Sequence, residues 1–266
     1  MPVVTANDVN LYYEIYGQGE PLVFIHGFAV DHLVFAALPE RLQNGYQVIL
    51  LDNRGSGQSD CPDYPYTVEM MANDLAEFCK RLNLGRCHFV GHSMGGMILQ
   101  SLAHQHPEQV RSAILCCTDV KIDIRYALTA QSRVALMAAE CPQRALIENG
   151  LGWTFSSDFL EQPGMVEKII NLRLSNPFPI TAMGYRHQLN ALLSFNSSAW
   201  INQIKASCLV ISGEQDIIMN EHSVRKMSLE IPHAHYECIS GVGHAPFIEK
   251  PEAFLQALMH FITSTV

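Results

Sequence analysis

No apolar run in this sequence reaches the length of a membrane-spanning helix. The start, Met1-Pro2-Val3-Val4-Thr5, has neither the basic residues nor the apolar stretch of a secretory signal. The expectation is a cytoplasmic chain with no membrane partner. Basic residues are few and scattered: 17 Lys and Arg stand against 26 Asp and Glu, a net charge of −9. Without a basic cluster there is no electrostatic footprint for nucleic acid or an anionic membrane. No C-x-x-C pair and no H-E-x-x-H motif occurs among the 8 cysteines and 12 histidines. Cys87, Cys116, Cys117, Cys208 and Cys238 fall in or beside apolar runs, where a thiol packs as a small hydrophobe and not as part of a disulfide framework. His104 and His106, like His233 and His235, are two apart, which puts both on one face only in a strand. No metal or other cofactor is expected.

What is present suits one large core. The chain has 266 residues, of which 48% are hydrophobic and 16% charged. Strand-like runs occur at 3–5, 11–16, 22–25, 48–51, 88–90, 113–116, 209–211 and 236–239. The first two alternate, as an antiparallel edge hairpin does. The middle ones are continuously apolar, as parallel strands covered on both faces are. Between the later runs the apolar spacing becomes helical. From Thr67 to Leu82 it falls at Val68, Met71, Leu75, Phe78 and Leu82, with Thr67 placed to cap the helix. The last helix opens at Pro251 and buries Phe254, Leu255, Leu258, Phe261 and Ile262. Strands alternating with helices predict an α/β fold, a mostly parallel sheet of about eight strands flanked by helices.

Residues 118–205 break the alternation. They hold helical patterns at 126–140, 143–150, 165–175 and 181–194, separated by loops containing Pro142, Gly152, Pro163 and Asn176-Pro177-Phe178-Pro179. We read 1–117 and 206–266 as a core domain and 118–205 as an inserted helical lid over the C-terminal edge of the sheet, where open α/β folds bind ligands. Between Asp119 and Lys205 eight Lys and Arg meet seven Asp and Glu, so the lid is near neutral on an acidic body.

The chemistry-bearing feature is Gly91-His92-Ser93-Met94-Gly95, between an apolar run and a helical one. A serine with glycines two before and two after, on a strand-to-helix turn, fits a nucleophile elbow that pushes the hydroxyl into a cleft. Such a hydroxyl needs a base, and the base an orienting acid. Gly213-Glu214-Gln215-Asp216 and Gly243-His244 follow later strand-like runs and supply both. The candidate triad is Ser93, Asp216 and His244, with Asp119 and Glu214 as competing acids. After the run ending at Ile25, His26-Gly27-Phe28 can place the N–H of Phe28 beside that of Met94 as an oxyanion hole. His26, Asp52 and Arg54 are expected to brace loops. Trp153, Tyr126 and Phe247 are the substrate-binding candidates.

These stations resemble the α/β-hydrolase superfamily. They are His26-Gly27-Phe28, Asp52-Asn53-Arg54-Gly55-Ser56-Gly57-Gln58-Ser59, Gly91 to Gly96, Gly213 to Asp216, and Gly243-His244, spread over nearly the whole chain. The resemblance implies an α/β-hydrolase fold with a serine nucleophile. Serine at position 93 sets the chain apart from the aspartate-nucleophile dehalogenases and epoxide hydrolases. The elbow also lacks the Gly-Gly-Ser-Trp-Gly of the proline iminopeptidases. Acyl transfer to water remains, so the expected function is a serine hydrolase, a carboxylesterase of small molecules.

Within the superfamily, residues 152–159 and 184–192 are similar to the 3-oxoadipate enol-lactonases. Those enzymes carry Asn-Ser-Leu-Gly where this chain has His26-Gly27-Phe28-Ala29, a difference that favours a general carboxylesterase. Other readings are an acyl-carrier methyl ester esterase, a ligand receptor on the same fold, and cofactor-free perhydrolase or dioxygenase chemistry. The partner expected is a small-molecule ester or lactone, and a homodimer is left open as the assembly. Lys121, Arg125 and Arg133 are candidates for binding a substrate carboxylate.

Overall fold

The structure is a computed structural model and describes residues 2–264. Eight strands form: β1 (Val3–Ala6), β2 (Val9–Tyr16), β3 (Glu20–Ile25), β4 (Tyr46–Leu51), β5 (Cys87–His92), β6 (Val110–Cys116), β7 (Ser207–Gly213) and β8 (His235–Ile239). They make one sheet in the order β1-β2-β4-β3-β5-β6-β7-β8. The first hairpin is antiparallel, β2 pairs antiparallel with β4, and every later pairing is parallel. The strand order reverses between β3 and β5: from β3 the sheet grows outward to β4, and from β5 the other way to β6. At such a switch point the loops leaving the two strands diverge and open a crevice above their carboxyl ends. Ile25 pairs with Gly91, so the loops carrying Phe28 and Ser93 start side by side there.

Side chains alternate across the sheet with the two-residue period of a strand, building a core on each face. Val23, Ile25, Ile49, Phe89, Leu115 and Val210 pack on one side with α-helices. Leu22, Phe24, Val48, Leu50, Val90 and Ile114 pack on the other. The helices are α1 (Pro39–Leu42), α2 (Val68–Arg81), α3 (Met94–Gln105), α4 (Ile124–Ala138), α5 (Gln143–Thr154), α6 (Ser157–Leu160), α7 (Met165–Leu174), α8 (Ala182–Ser194), α9 (Glu221–Glu230), α10 (Pro246–Glu249) and α11 (Pro251–Ser264). Thr67 caps α2, accepting from the Met70 N–H at 3.1 Å. Phe254, Leu258, Phe261 and Ile262 of α11 are buried against the second face. Each fully buried side chain of this size contributes about 1.5–3 kcal/mol.

Helices α4 to α8 lie between β6 and β7, with no strand among the described residues there. α4 packs on α8, and α5 on α7. Asp123 and Thr181 cap α4 and α8, accepting from the N–H groups of Arg125 and Gly184. Three local features differ from the sequence pattern. α5 continues past Gly150 and Gly152 to Thr154, because the buried side chains of Leu146, Ile147 and Leu151 hold a helix that two glycines weaken by about 1 kcal/mol each. The short α6 has too few residues to show a period, and Ser156 nucleates it by accepting from the Phe159 N–H. Cys238 is exposed, because β8 is an edge strand with little packed on it.

Candidate active site

Ser93 sits on the turn between β5 and α3 with φ 54° and ψ −118°, a conformation L-residues avoid. Such a residue costs on the order of 1–3 kcal/mol and persists only where its surroundings fix it. Here they do. The Ser93 N–H donates to the Cys116 carbonyl at 2.9 Å, and the Thr118 hydroxyl donates to the Ser93 carbonyl at 2.8 Å. The flanking glycines are steric requirements of the turn. A Cβ on Gly91 would lie 2.4 Å from the Gly95 carbonyl oxygen, and one on Gly95 would lie 2.1 Å from that of Ile25.

His244 follows β8 and Asp216 follows β7. The Nδ1–H of His244 donates to Oδ2 of Asp216 at 2.7 Å, and both residues are buried. The other carboxylate oxygen of Asp216 accepts from the N–H groups of Ile218 and Met219 at 2.8 and 3.0 Å. Those bonds fix the carboxylate and leave one oxygen for the imidazole. Asp119 and Glu214 lie elsewhere: Asp119 accepts from the Val120 N–H, and Glu214 from Ser240 and the Gly241 N–H. Ser93 and His244 both line one pocket, without a hydrogen bond between them among the described residues. Unliganded sites commonly have such bonds long.

Phe28 joins Ser93 and His244 on the pocket wall, and its ring meets Tyr185 at 4.5 Å between centroids. Among the described residues, no hydrogen bond engages the N–H of Phe28 or of Met94. The loop carrying Phe28 is held from two sides. His26 donates from Nδ1 to the Gly27 carbonyl at 2.8 Å and accepts at Nε2 from the Asn53 N–H at 3.0 Å. Burial holds the His26 pKa below the usual imidazole range, which suits a ring that must accept. From α8, Gln188 accepts from the Ala29 N–H and donates to the Arg54 carbonyl and the Ser56 hydroxyl. Arg54 itself is buried and bonded to Asp74, so the 52–59 loop is anchored as its residue types imply. Asp52 accepts from the His32 N–H and ring and from the Gln58 N–H.

The inserted helices reach the same centre. Trp153, Tyr126 and Phe247 all line the pocket; Trp153 and Tyr126 meet edge to face at 5.9 Å. The free space is about 90 Å³, well above the roughly 10–15 Å³ that holding one water requires. Of the three proposed cations, Arg133 lines the pocket, whereas Lys121 is exposed and Arg125 is paired with Asp123 beside it. Arg173, Tyr185 and Ile218 also line it and have no motif in the sequence to announce them.

One group of three metal-competent side chains occurs among the described residues: Cys117, Asp216 and His244. The His244 and Asp216 atoms that face each other are at hydrogen-bond distance, too close to hold an ion between them. The arrangement can do acyl transfer: a hydroxyl on the pocket wall, an imidazole fixed by a carboxylate, and the free N–H groups of Phe28 and of Met94 at the start of α3.

An alpha/beta hydrolase fold model matches residues 20–251, and the chain belongs to that family. Its relatives are named for several activities. BpoC of Mycobacterium tuberculosis, named for a non-heme bromoperoxidase, is 29% identical over 265 residues, covering 96% of this chain and 98% of that protein. The 3-oxoadipate enol-lactonase 2 of Acinetobacter baylyi is 27% identical over 258 residues, covering 96% and 94%. Among solved structures, a malate-bound thermophilic esterase from Thermogutta terrifontis superposes with a TM-score of 0.87 at 27% identity, covering 99% and 98%. No helix among the described residues is long and apolar enough to cross a membrane.

Proposed function

We propose that this hydrolase-family protein cleaves a carboxylic ester or lactone of a small molecule through an acyl-serine. The observation that supports this reading best is the turn at Ser93. It spends backbone strain to present a hydroxyl to a pocket that also holds His244, itself tied to Asp216. In the reading, Nε2 of His244 takes the Ser93 proton as Oγ attacks the carbonyl carbon. The N–H groups of Phe28 and Met94 bind the resulting oxyanion. Collapse breaks the ester C–O bond, and His244 gives its proton to the departing alkoxide. Water then repeats the sequence on the acyl-serine, releasing the acid and restoring the hydroxyl. In a lactone the departing alcohol stays joined to the acyl part.

The lactone form draws support from the 27% identity to an enol-lactonase over nearly the full chain, and the open-ester form from the equal identity to a thermophilic esterase. A panel of p-nitrophenyl esters and simple lactones tests both. Turnover of short acyl esters supports the general esterase. Turnover of lactones alone selects the lactonase, and turnover of neither removes the reading.

A further inference from the structure

Two arginines point the substrate class. Arg133 on α4 and Arg173 on α7 line the pocket that Ser93 and His244 share. Neither forms an ion pair or side-chain hydrogen bond among the described residues. Nearby Arg144 shows the ordinary pattern, paired with both Glu148 and Glu167. Arg133 is half-buried, its Nε is fully buried without a partner, and its guanidinium carbon lies 5.8 Å from the Tyr185 ring centre. Arg173 is half-buried as well. Burial, and then the like charge of Arg133, push its pKa below the usual guanidinium range. The carboxylate acting on it most is Asp31, whose oxygens already accept from the Leu33 N–H and from Asn176. Tyr126 lies within the field of both guanidinium groups.

Two partly desolvated like charges without a counter-ion destabilise a fold. Local arrangements that oppose stability in this way concentrate at functional sites, where a ligand supplies what is missing. Guanidinium groups match a carboxylate through paired N–H donors. The rest of the pocket wall is largely aromatic and aliphatic, as an acyl chain requires.

Resting on the hydrolase reading, we propose that the substrate bears a carboxylate at the far end of its acyl part, held by Arg133 and Arg173. The acyl part stays on Ser93 through both chemical steps, so contacts to its far end serve each of them.

The test compares mono-p-nitrophenyl succinate and glutarate with the neutral p-nitrophenyl butyrate and valerate. The intact protein should favour the anionic member of the matched pair by tenfold or more in kcat/KM. Arg133→Met and Arg173→Met should each lower that ratio at least tenfold, and the lysine variants should restore part of it. A smaller preference in the intact protein, or a ratio kept within threefold in both methionine variants, overturns the proposal while leaving the hydrolase reading intact. Stronger competition by inorganic phosphate than by glutarate overturns the choice of a carboxylate. If no ester turns over, the hydrolase reading falls, and calorimetry with glutarate on the Ser93→Ala protein decides the anion site. Binding that both methionine variants weaken tenfold keeps it, and no binding removes it.

Discussion

The backbone N–H of His244 donates to the carbonyl of Thr154 at 2.8 Å, so the candidate base is held by the end of an inserted helix as well as by its own loop. Glu249 strengthens the same junction. Its carboxylate accepts from the Gly243 N–H at 2.9 Å and from both the N–H and hydroxyl of Ser156. Position 244 therefore depends on contacts between segments far apart in sequence.

Replacing Glu249 with Ala should loosen this junction. The lost bonds leave part-buried N–H groups unpaired, which costs about 1–3 kcal/mol. Urea denaturation should read that loss. Ester turnover should fall in kcat more than it rises in KM, because the imidazole and not the pocket wall is displaced.

Asp216→Asn should preserve the fold, because an amide oxygen can still accept from Ile218 and Met219. It should lower kcat by about 10⁴-fold, since the amide turns the imidazole to the wrong tautomer. Stopped-flow and steady-state assays on a p-nitrophenyl ester measure it. A loss under tenfold would return the acid role to another carboxylate.

Gly95→Ala tests the elbow as a steric object. Its Cβ would lie 2.1 Å from the Ile25 carbonyl oxygen, where rigid backbone cannot yield. The expected cost is about 3 kcal/mol, seen as a lower urea midpoint, with ester activity lost in parallel.

Acid should weaken the fold through His92. Burial, and then the charge on His244, hold its pKa well below the ordinary value, and its Nε2–H donates to the His244 carbonyl. The unfolded chain takes up a proton near pH 6.5 while the native ring stays neutral. Stability from this group is thus full above about pH 6.5 and lost as pH falls towards the folded value, by about 1.4 kcal/mol per pH unit. His32 runs the opposite way. Burial opposes its charge, but the Asp52 carboxylate outweighs that and raises its pKa, so its contribution fades as pH rises through the folded value. His92→Gln should flatten the acid side of a Tm-against-pH curve and leave the neutral side's slope unchanged.

The parallel core strands were legible because both faces are covered, which leaves unbroken apolar runs such as Leu22 to Ile25. α2 was legible because one face is buried and Thr67 marks its start. The end of α5 was not, since Gly152 reads as a breaker when the packing that overrides it lies elsewhere in the chain. Motif spacing singled out Ser93, Asp216 and His244; the fold puts Ser93 and His244 on one pocket wall and Asp216 in hydrogen bond to His244. Arg173 left no trace in the sequence. An arginine on a half-exposed helix looks like any solvated cation until tertiary structure brings it to the pocket wall with Arg133.

Fluorophosphonate labelling followed by peptide mapping tests the central claim most directly, because the probe traps an activated serine. The account predicts one adduct, on Ser93, formed in step with the loss of ester turnover and absent from Ser93→Ala, which should itself retain less than about one part in 10⁴ of the activity. An adduct on a different residue, or turnover that survives Ser93→Ala, would contradict it.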